Sequence, residues 1–366
     1  MTAPTDLALL VIARNEARGI ARCLQSAQPY VRRMVVLDTG STDDTVQIAR
    51  SCGAQVYQEP WRDDFAWARN RALELADAHW SLFLDADEWL ESGGQSLAQA
   101  VQACEPKLGA VLVKSDFTQG GRVQQAGSWL TRLVPRGVRY QGRVHEQVVS
   151  SLPRQRLPVV VGHSGYQPEA MQAKRGRNRA LLLQELQAQP DSAYILYQLG
   201  KDCEVFEELE QARDYYLRAG AACPADAHYA HDLHVRLLYS LGKSGRLDDA
   251  VVLAGDMMER WRDSPDFFFT VGNLFLDRAI AHPQTASAQS LPMVEQAWLR
   301  CLAIGECPDL EGSVVGRGSF LAAHNLAVLY EGLGRKDEAG RYAQLAAQLR
   351  DAQQSVARSV IETRPG

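Results

Sequence analysis

The chain has 366 residues, 46% of them hydrophobic and 23% charged, and a formal net charge of −5. That is the make-up of a globular protein long enough for two ordinary domains, and it excludes a disordered or collagen-like chain. The acidic balance, with Lys and Arg spread along the chain, argues against general nucleic-acid binding. The seven cysteines are scattered, odd in number and never spaced Cys-x-x-Cys, which argues against a zinc cluster or a disulfide framework and suggests a reducing compartment. Near the N-terminus the only apolar run, Leu7 to Ala13, follows an acid and lacks a basic lead. Neither a signal peptide nor a transmembrane segment is predicted, and a cytoplasmic protein is expected.

From Leu7 the first half alternates short apolar runs with longer segments of helical period, the pattern of a mostly parallel sheet with helices on both faces. Leu7–Ile12 predicts a first strand, and a helix follows from Asn15-Glu16 to about Gln28, ended by Pro29. Met34–Leu37 predicts a second strand that stops at Asp38-Thr39-Gly40-Ser41-Thr42. A glycine turn and polar caps there lead into a helix whose N-terminus is either plainly capped or faces an anion. Val56-Tyr57 is a brief third strand, and the apolar spacing of Phe65, Ala68, Ala72 and Leu75 predicts a helix. Arg69 in that helix is either a surface or paired cation or is aimed at a diphosphate.

Trp80 to Leu84 then ends in Asp85-Ala86-Asp87-Glu88. Two carboxylates one residue apart at a strand end can hold a divalent cation and, through it, phosphates. After them a helix is predicted from Gln95 to Cys104 and a strand over Ala110–Val113. Trp129 to Val149 is rich in Arg and contains His145-Glu146, which on an extended segment would point to opposite faces. A last strand, Leu157–Val161, runs into His163. Either His145 or His163 is a candidate metal ligand beside the acids.

Beyond the polar, basic stretch from Pro168 to Asn178 strand-like runs cease, so domains of 1–172 and 173–366 are expected. The second half recurs at roughly 35 to 45 residues, with turn glycines at Gly200, Gly242 and Gly334, each followed by an acid-then-Ala element: Glu210-Gln211-Ala212, Asp248-Asp249-Ala250 and Asp337-Glu338-Ala339. About four stacked helical hairpins are predicted, one of them interrupted by a Pro/Ser/Gln/Ala insertion after Ile280. The segment Asn325–Arg335 resembles a tetratricopeptide repeat. The concave face of such a stack is a surface for an acceptor, or else a structural extension or homodimer contact.

Ile12-Ala13-Arg14-Asn15-Glu16, Val36-Leu37-Asp38-Thr39-Gly40-Ser41-Thr42-Asp43 and Phe83-Leu84-Asp85-Ala86-Asp87-Glu88, in that order, resemble the family 2 inverting glycosyltransferases of the GT-A nucleotide-sugar-binding fold, over about the first 170 residues. Asp63–Asn70 and His145-Glu146 look like a bacterial subgroup with tetratricopeptide repeats after the catalytic domain. Some of its members act on cell-surface glycans and others look like peptide S-glycosyltransferases. The resemblance implies transfer of a sugar from a nucleotide sugar, usually UDP-linked, to a glycan, peptide or protein acceptor, the repeats holding part of the acceptor. It implies Mg2+ or Mn2+ on Asp87, with Asp85 on the ribose or metal side and His163 or His145 completing the coordination. The nucleotide-sugar contacts implied are Ala13, Arg14, Glu16, Asp38, Ser41, Arg69, Asp85, Ala86 and Asp87, with Asp38 accepting from the base. For the general base an inverting transfer needs, Glu146 is the first choice, Glu88 the second and Asp116 a weaker third. A non-catalytic sugar-nucleotide domain supporting a repeat scaffold is the alternative. A nucleotidyltransferase is disfavoured, since Ala13-Arg14-Asn15-Glu16 is not a Gly-rich basic loop.

Overall fold

The apolar run of the first strand is continuous because both of its faces are covered. In the computed structural model, which describes residues 6–102, 105–119, 122–163 and 168–362, β1 (Leu7–Ala13) pairs in parallel with β2 (Arg33–Asp38) and β4 (Trp80–Phe83), and β3 (Gln55–Gln58) lies beside β2. Leu7, Leu9, Val11 and Ala13 turn to one face, in a core with α1 (Ile20–Ala27), α2 (Thr45–Ser51) and α4 (Gly94–Val101). Ala8 and Leu10 turn to the other, where α3 (Phe65–Ala76) packs. Each fully buried Leu on these faces contributes about 2 kcal/mol.

Beyond β4 the sheet becomes mixed. β7 (Arg122–Pro135) runs antiparallel to β4 and to β6 (Leu108–Gln119), β6 is parallel to β10 (Arg154–His163), and β10 is antiparallel to β5 (Glu88–Ser92). The strand order is β3-β2-β1-β4-β7-β6-β10-β5, with a separate ribbon of β8 (Arg139–Gln141) and β9 (Gln147–Val149). Chain order reverses at β1, whose neighbours are β2 on one side and β4 on the other. The crevice at the carboxyl ends of these strands is where open α/β sheets take ligands. Asp38 and Asp85 stand there.

Two expectations shift. Helix α1 starts at Ile20 rather than at Asn15, because Asn15 adopts a left-handed φ of 57° and the chain turns through Gly19 before the helix begins. The compact units divide after Ala188, later than the basic stretch suggested. Helix α5 (Pro168–Ala188) meets the first unit through Arg177, 5.2 Å from the Phe65 ring centroid, and through Glu185, which accepts from the Arg143 amide.

The second unit is built of helical pairs: α6 (Ala193–Val205) on α7 (Leu209–Ala222), α8 (Ala230–Lys243) on α9 (Leu247–Met257), α10 (Pro265–Ala281) on α12 (Leu291–Ile304), and α13 (Phe320–Gly332) on α14 (Lys336–Glu362). The short turn α11 (Pro283–Thr285) opens the insertion between α10 and α12. Small residues fall where paired helices touch. A Cβ on Gly200 would lie 2.3 Å from the Tyr216 ring, and one on Gly272 would lie 2.3 Å from Trp298. Among the described residues no helix is long and apolar enough to cross a membrane.

Candidate donor and catalytic site

Asp38 ends β2 fully buried. Its Oδ1 accepts from the Gly40 amide at 3.2 Å and the Ser41 amide at 3.1 Å, while its Oδ2 has no hydrogen-bond partner. A buried acceptor left unmade costs about 1–3 kcal/mol, so this oxygen is poised for a donor. The polar groups of the glycine turn are occupied. Ser41 Oγ accepts from the Asn15 amide at 2.9 Å, Thr45 Oγ1 from the Glu16 amide at 2.7 Å, and Asn15 Oδ1 from the Thr42 amide at 2.7 Å. Asp43 caps Thr45 and accepts from the Ala17 amide. Burial pushes the Asp43 carboxyl up, but the bonds from Thr45 outweigh it and leave it below the usual range. These bonds tie the β1–α1 and β2–α2 loops into one floor. Ala13 belongs to it through its carbonyl, which accepts from the Thr39 amide at 2.9 Å. Arg14 is exposed at its edge.

The acid turn after β4 rests on the start of α1. A Cβ on Gly19 would meet the Ala86 carbonyl oxygen at 2.7 Å, and Cys23 Sγ donates to the Asp85 carbonyl at 3.4 Å. Asp85 then takes two guanidiniums, Arg69 of α3 at 3.0 Å and Arg132 of β7 at 2.8 Å. Arg132 also pairs with Glu88, and Arg69 with Glu146. The result is an unbroken chain, Glu146–Arg69–Asp85–Arg132–Glu88. Burial pushes the Asp85 carboxyl up, yet the Arg132 and Arg69 charges hold it well below the usual range. Glu88 goes the other way. Burial raises it against the pull of Arg132, and its side chain is only 4% exposed. Its second oxygen accepts from the Asp85 amide at 3.0 Å. Asp85 keeps 46% of its side chain accessible, which makes it the open edge of the chain of charges.

Asp87 faces another way. Its Oδ2 lies 3.2 Å from His163 Nε2 at the end of β10, and that hydrogen bond raises the imidazole above its ordinary pKa against the opposing effect of burial. One carboxylate and one imidazole are a donor set that a divalent cation can accept. No group of three or more metal-ligating side chains forms among the described residues.

Arg69 takes the paired alternative, with Asp85 and Glu146 as its partners. Asp85 is spanned by arginines, apart from the Asp87–His163 pair. One expectation about local backbone differs. His145 is exposed with a left-handed φ of 52°, so His145 and Glu146 sit on a turn and not on an extended segment. The Asp116 side chain lies outside the described residues. Arg132 was not singled out beforehand. Its one signal was a guanidinium beside Leu133-Val134, which if buried demands a counter-charge.

The protein-family model described as glycosyl transferase family 2 matches residues 8–151. A TPR repeat-containing protein of Synechococcus elongatus is 34% identical over 268 residues, covering 68% of this chain and 65% of that one. The SPbeta prophage-derived glycosyltransferase SunS of Bacillus subtilis is 29% identical over 216 residues, covering 56% of this chain and 51% of SunS. The chain thus spans between half and two thirds of the length of these relatives. Among solved structures, the glucosyl-3-phosphoglycerate synthase of Mycobacterium tuberculosis in complex with Mn2+, UDP and glucosyl-3-phosphoglycerate is 29% identical over 32% of this chain and 46% of its own, with a TM-score of 0.25. MamA is 14% identical over 51% of this chain and 95% of its own, with a TM-score of 0.39. Residues 8–151 are thus similar to glycosyl transferase family 2, and helical pairs follow that segment, as a chain similar to a TPR repeat-containing protein would have them.

Proposed function

We propose that the chain is an inverting glycosyltransferase that moves a sugar from a nucleotide sugar, UDP-linked, to a hydroxyl or thiol of a glycan, peptide or protein. One arrangement carries the reading: the unsatisfied Asp38 Oδ2, the arginine-held Asp85 and the Asp87–His163 pair stand at the carboxyl ends of β2, β4 and β10 in one sheet. Asp38 Oδ2 accepts from the imide N–H of uracil, and because Asp38 is fully buried the side chains over it must shift as the base enters. Asp85 offers its open edge to the ribose hydroxyls. Asp87 and His163 would hold Mn2+ or Mg2+, and the ion would neutralise charge on the departing diphosphate. The acceptor oxygen or sulfur bonds to the anomeric carbon as the bond from that carbon to the diphosphate breaks. The acceptor's proton passes to Glu146, which exchanges its Arg69 contact for the acceptor. Glu88, buried beneath Asp85, has a supporting role.

A panel of UDP-sugars incubated with the protein and Mn2+ tests this, since hydrolysis needs no acceptor. Turnover of at least one donor is expected. Glu146→Gln should keep the rise in Tm that UDP and Mn2+ produce while losing hydrolysis at least a hundredfold, on the order of what a general base contributes. Asp87→Ala should lose the Mn2+-dependent part of that rise. Full activity in Glu146→Gln moves the base elsewhere. UDP binding with no turnover of any donor would favour the non-catalytic scaffold.

A further inference from the structure

The family match ends at residue 151, yet the turn that carries Glu146 is held from both sides, and one of the two holds comes from beyond that point. The turn is conformationally demanding. Gly142 has a φ of 98° and His145 a φ of 52°, and β8 and β9 on either side are three-residue strands. So short a ribbon does not fix a turn on its own. The Arg143 peptide supplies the missing constraint. Its carbonyl accepts from the Phe65 amide at 2.8 Å, where α3 begins, and its own amide donates to the Glu185 carboxylate of α5. A Cβ on Gly142 would lie 3.7 Å from the same Glu185 oxygen, so the carboxylate sits against the turn itself. Three residues on, Glu146 meets Arg69, which stands one turn of α3 past Phe65. Helix α3 therefore presents the cation and half of the tether, and α5 closes the other half.

We propose that Glu185 is a positioning residue for this site: by holding the Arg143 amide it fixes the turn that aims Glu146 at Arg69. The inference rests on the reading that Glu146 works in the transfer. Glu185 touches neither donor nor acceptor, so its removal acts on the geometry of Glu146 and leaves the Asp38 and Asp87 contacts alone. A glutamine keeps an oxygen that can accept from a main-chain amide, and a leucine does not.

The test compares the full-length wild type with Glu185→Leu and Glu185→Gln. In hydrogen exchange read by mass spectrometry, the leucine variant should exchange peptides covering 142–147 about tenfold faster, as for the loss of one hydrogen bond, with β1 and α1 unchanged. The glutamine variant should match the wild type. For whichever of UDP-glucose, UDP-galactose and UDP-N-acetylglucosamine the wild type hydrolyses, the leucine variant should lose about tenfold or more in kcat with KM within twofold, and glutamine should restore it. Unchanged exchange over 142–147 overturns the proposal, as does faster exchange spread through β1 and α1. Faster exchange at the turn with kcat intact also overturns it. If the wild type hydrolyses none of the three while exchange responds as expected, the tether stands, and it is the catalytic role of the turn, together with the proposed function, that falls.

Discussion

Arg69 and Arg132 share three carboxylates, Asp85, Glu88 and Glu146, so deleting either guanidinium leaves an enclosed acid without its cation. For Arg132→Met the stranded acid is Glu88, and breaking a buried pair from one side costs about 3–5 kcal/mol. The urea midpoint should fall accordingly, and Arg132→Met/Glu88→Gln should recover a good part of it, because a neutral amide is cheaper to bury than a lone carboxylate. Equal midpoints for the single and double variants would show that Glu88 is not the acid at stake. A second residue sets an acid limit in the helical unit. Burial and the Arg260 charge push His234 down to about 4 from its usual 6.5. Between those values the unfolded chain takes up a proton that the folded one refuses, so stability is full above about pH 6.5 and is lost as pH falls toward 4. The loss approaches about 3 kcal/mol. His234→Leu should flatten the fall in the urea midpoint between pH 6.5 and 4.5, and an undiminished slope would assign the acid sensitivity to other groups.

At the scale of elements, the site depends on how closely α1 approaches the acid turn. Gly19→Ala would place a methyl 2.7 Å from the Ala86 carbonyl oxygen, which is main chain and cannot swing aside, so either α1 or the turn must move. The expected result is a smaller Tm rise from UDP with Mn2+ than the wild type shows, measured beside the ligand-free Tm so that a general loss of stability is seen separately. An unchanged ligand-induced rise would mean that the turn absorbs the methyl without displacing Asp87. The same approach explains what could be read in advance. β1, β2 and β4 announce themselves because both faces are buried, and Asp38, Asp85 and Asp87 stand out as charges where those runs stop. β7 does not, since Arg122–Pro135 mixes Arg, Gln, Gly and Ser, with Leu133 in one core and Val134 in the other. β5 is hidden by its start at Glu88, and it is held in place by a distant fit, with Trp89 against Gly162. The pairing of Arg132 with Asp85 and Glu88 spans more than forty residues of chain. Local periodicity carries no information at that range, and for the same reason it could not foresee that Arg69 faces inward or that His145 is left-handed.

At the scale of the whole molecule, three boundaries of the first unit differ. The family match stops at residue 151 and the composition shift lies near residue 172, but the compact unit runs to Ala188. Most of the difference is the second half of α5, which carries the buried Leu181 and Leu182 and sets Arg177 against Phe65 and Glu185 against Arg143. Two buried leucines are worth about 3–6 kcal/mol, a large part of the 5–15 kcal/mol by which a typical domain is stable. A fragment of residues 1–188 should therefore unfold cooperatively and keep the Tm rise with UDP and Mn2+, whereas residues 1–172 should show a lower Tm by 10 °C or more, on the order expected for losing several kcal/mol from a domain of this size. Equal Tm values for the two fragments would place α5 outside the catalytic unit and assign its buried leucines to the helical pairs that follow.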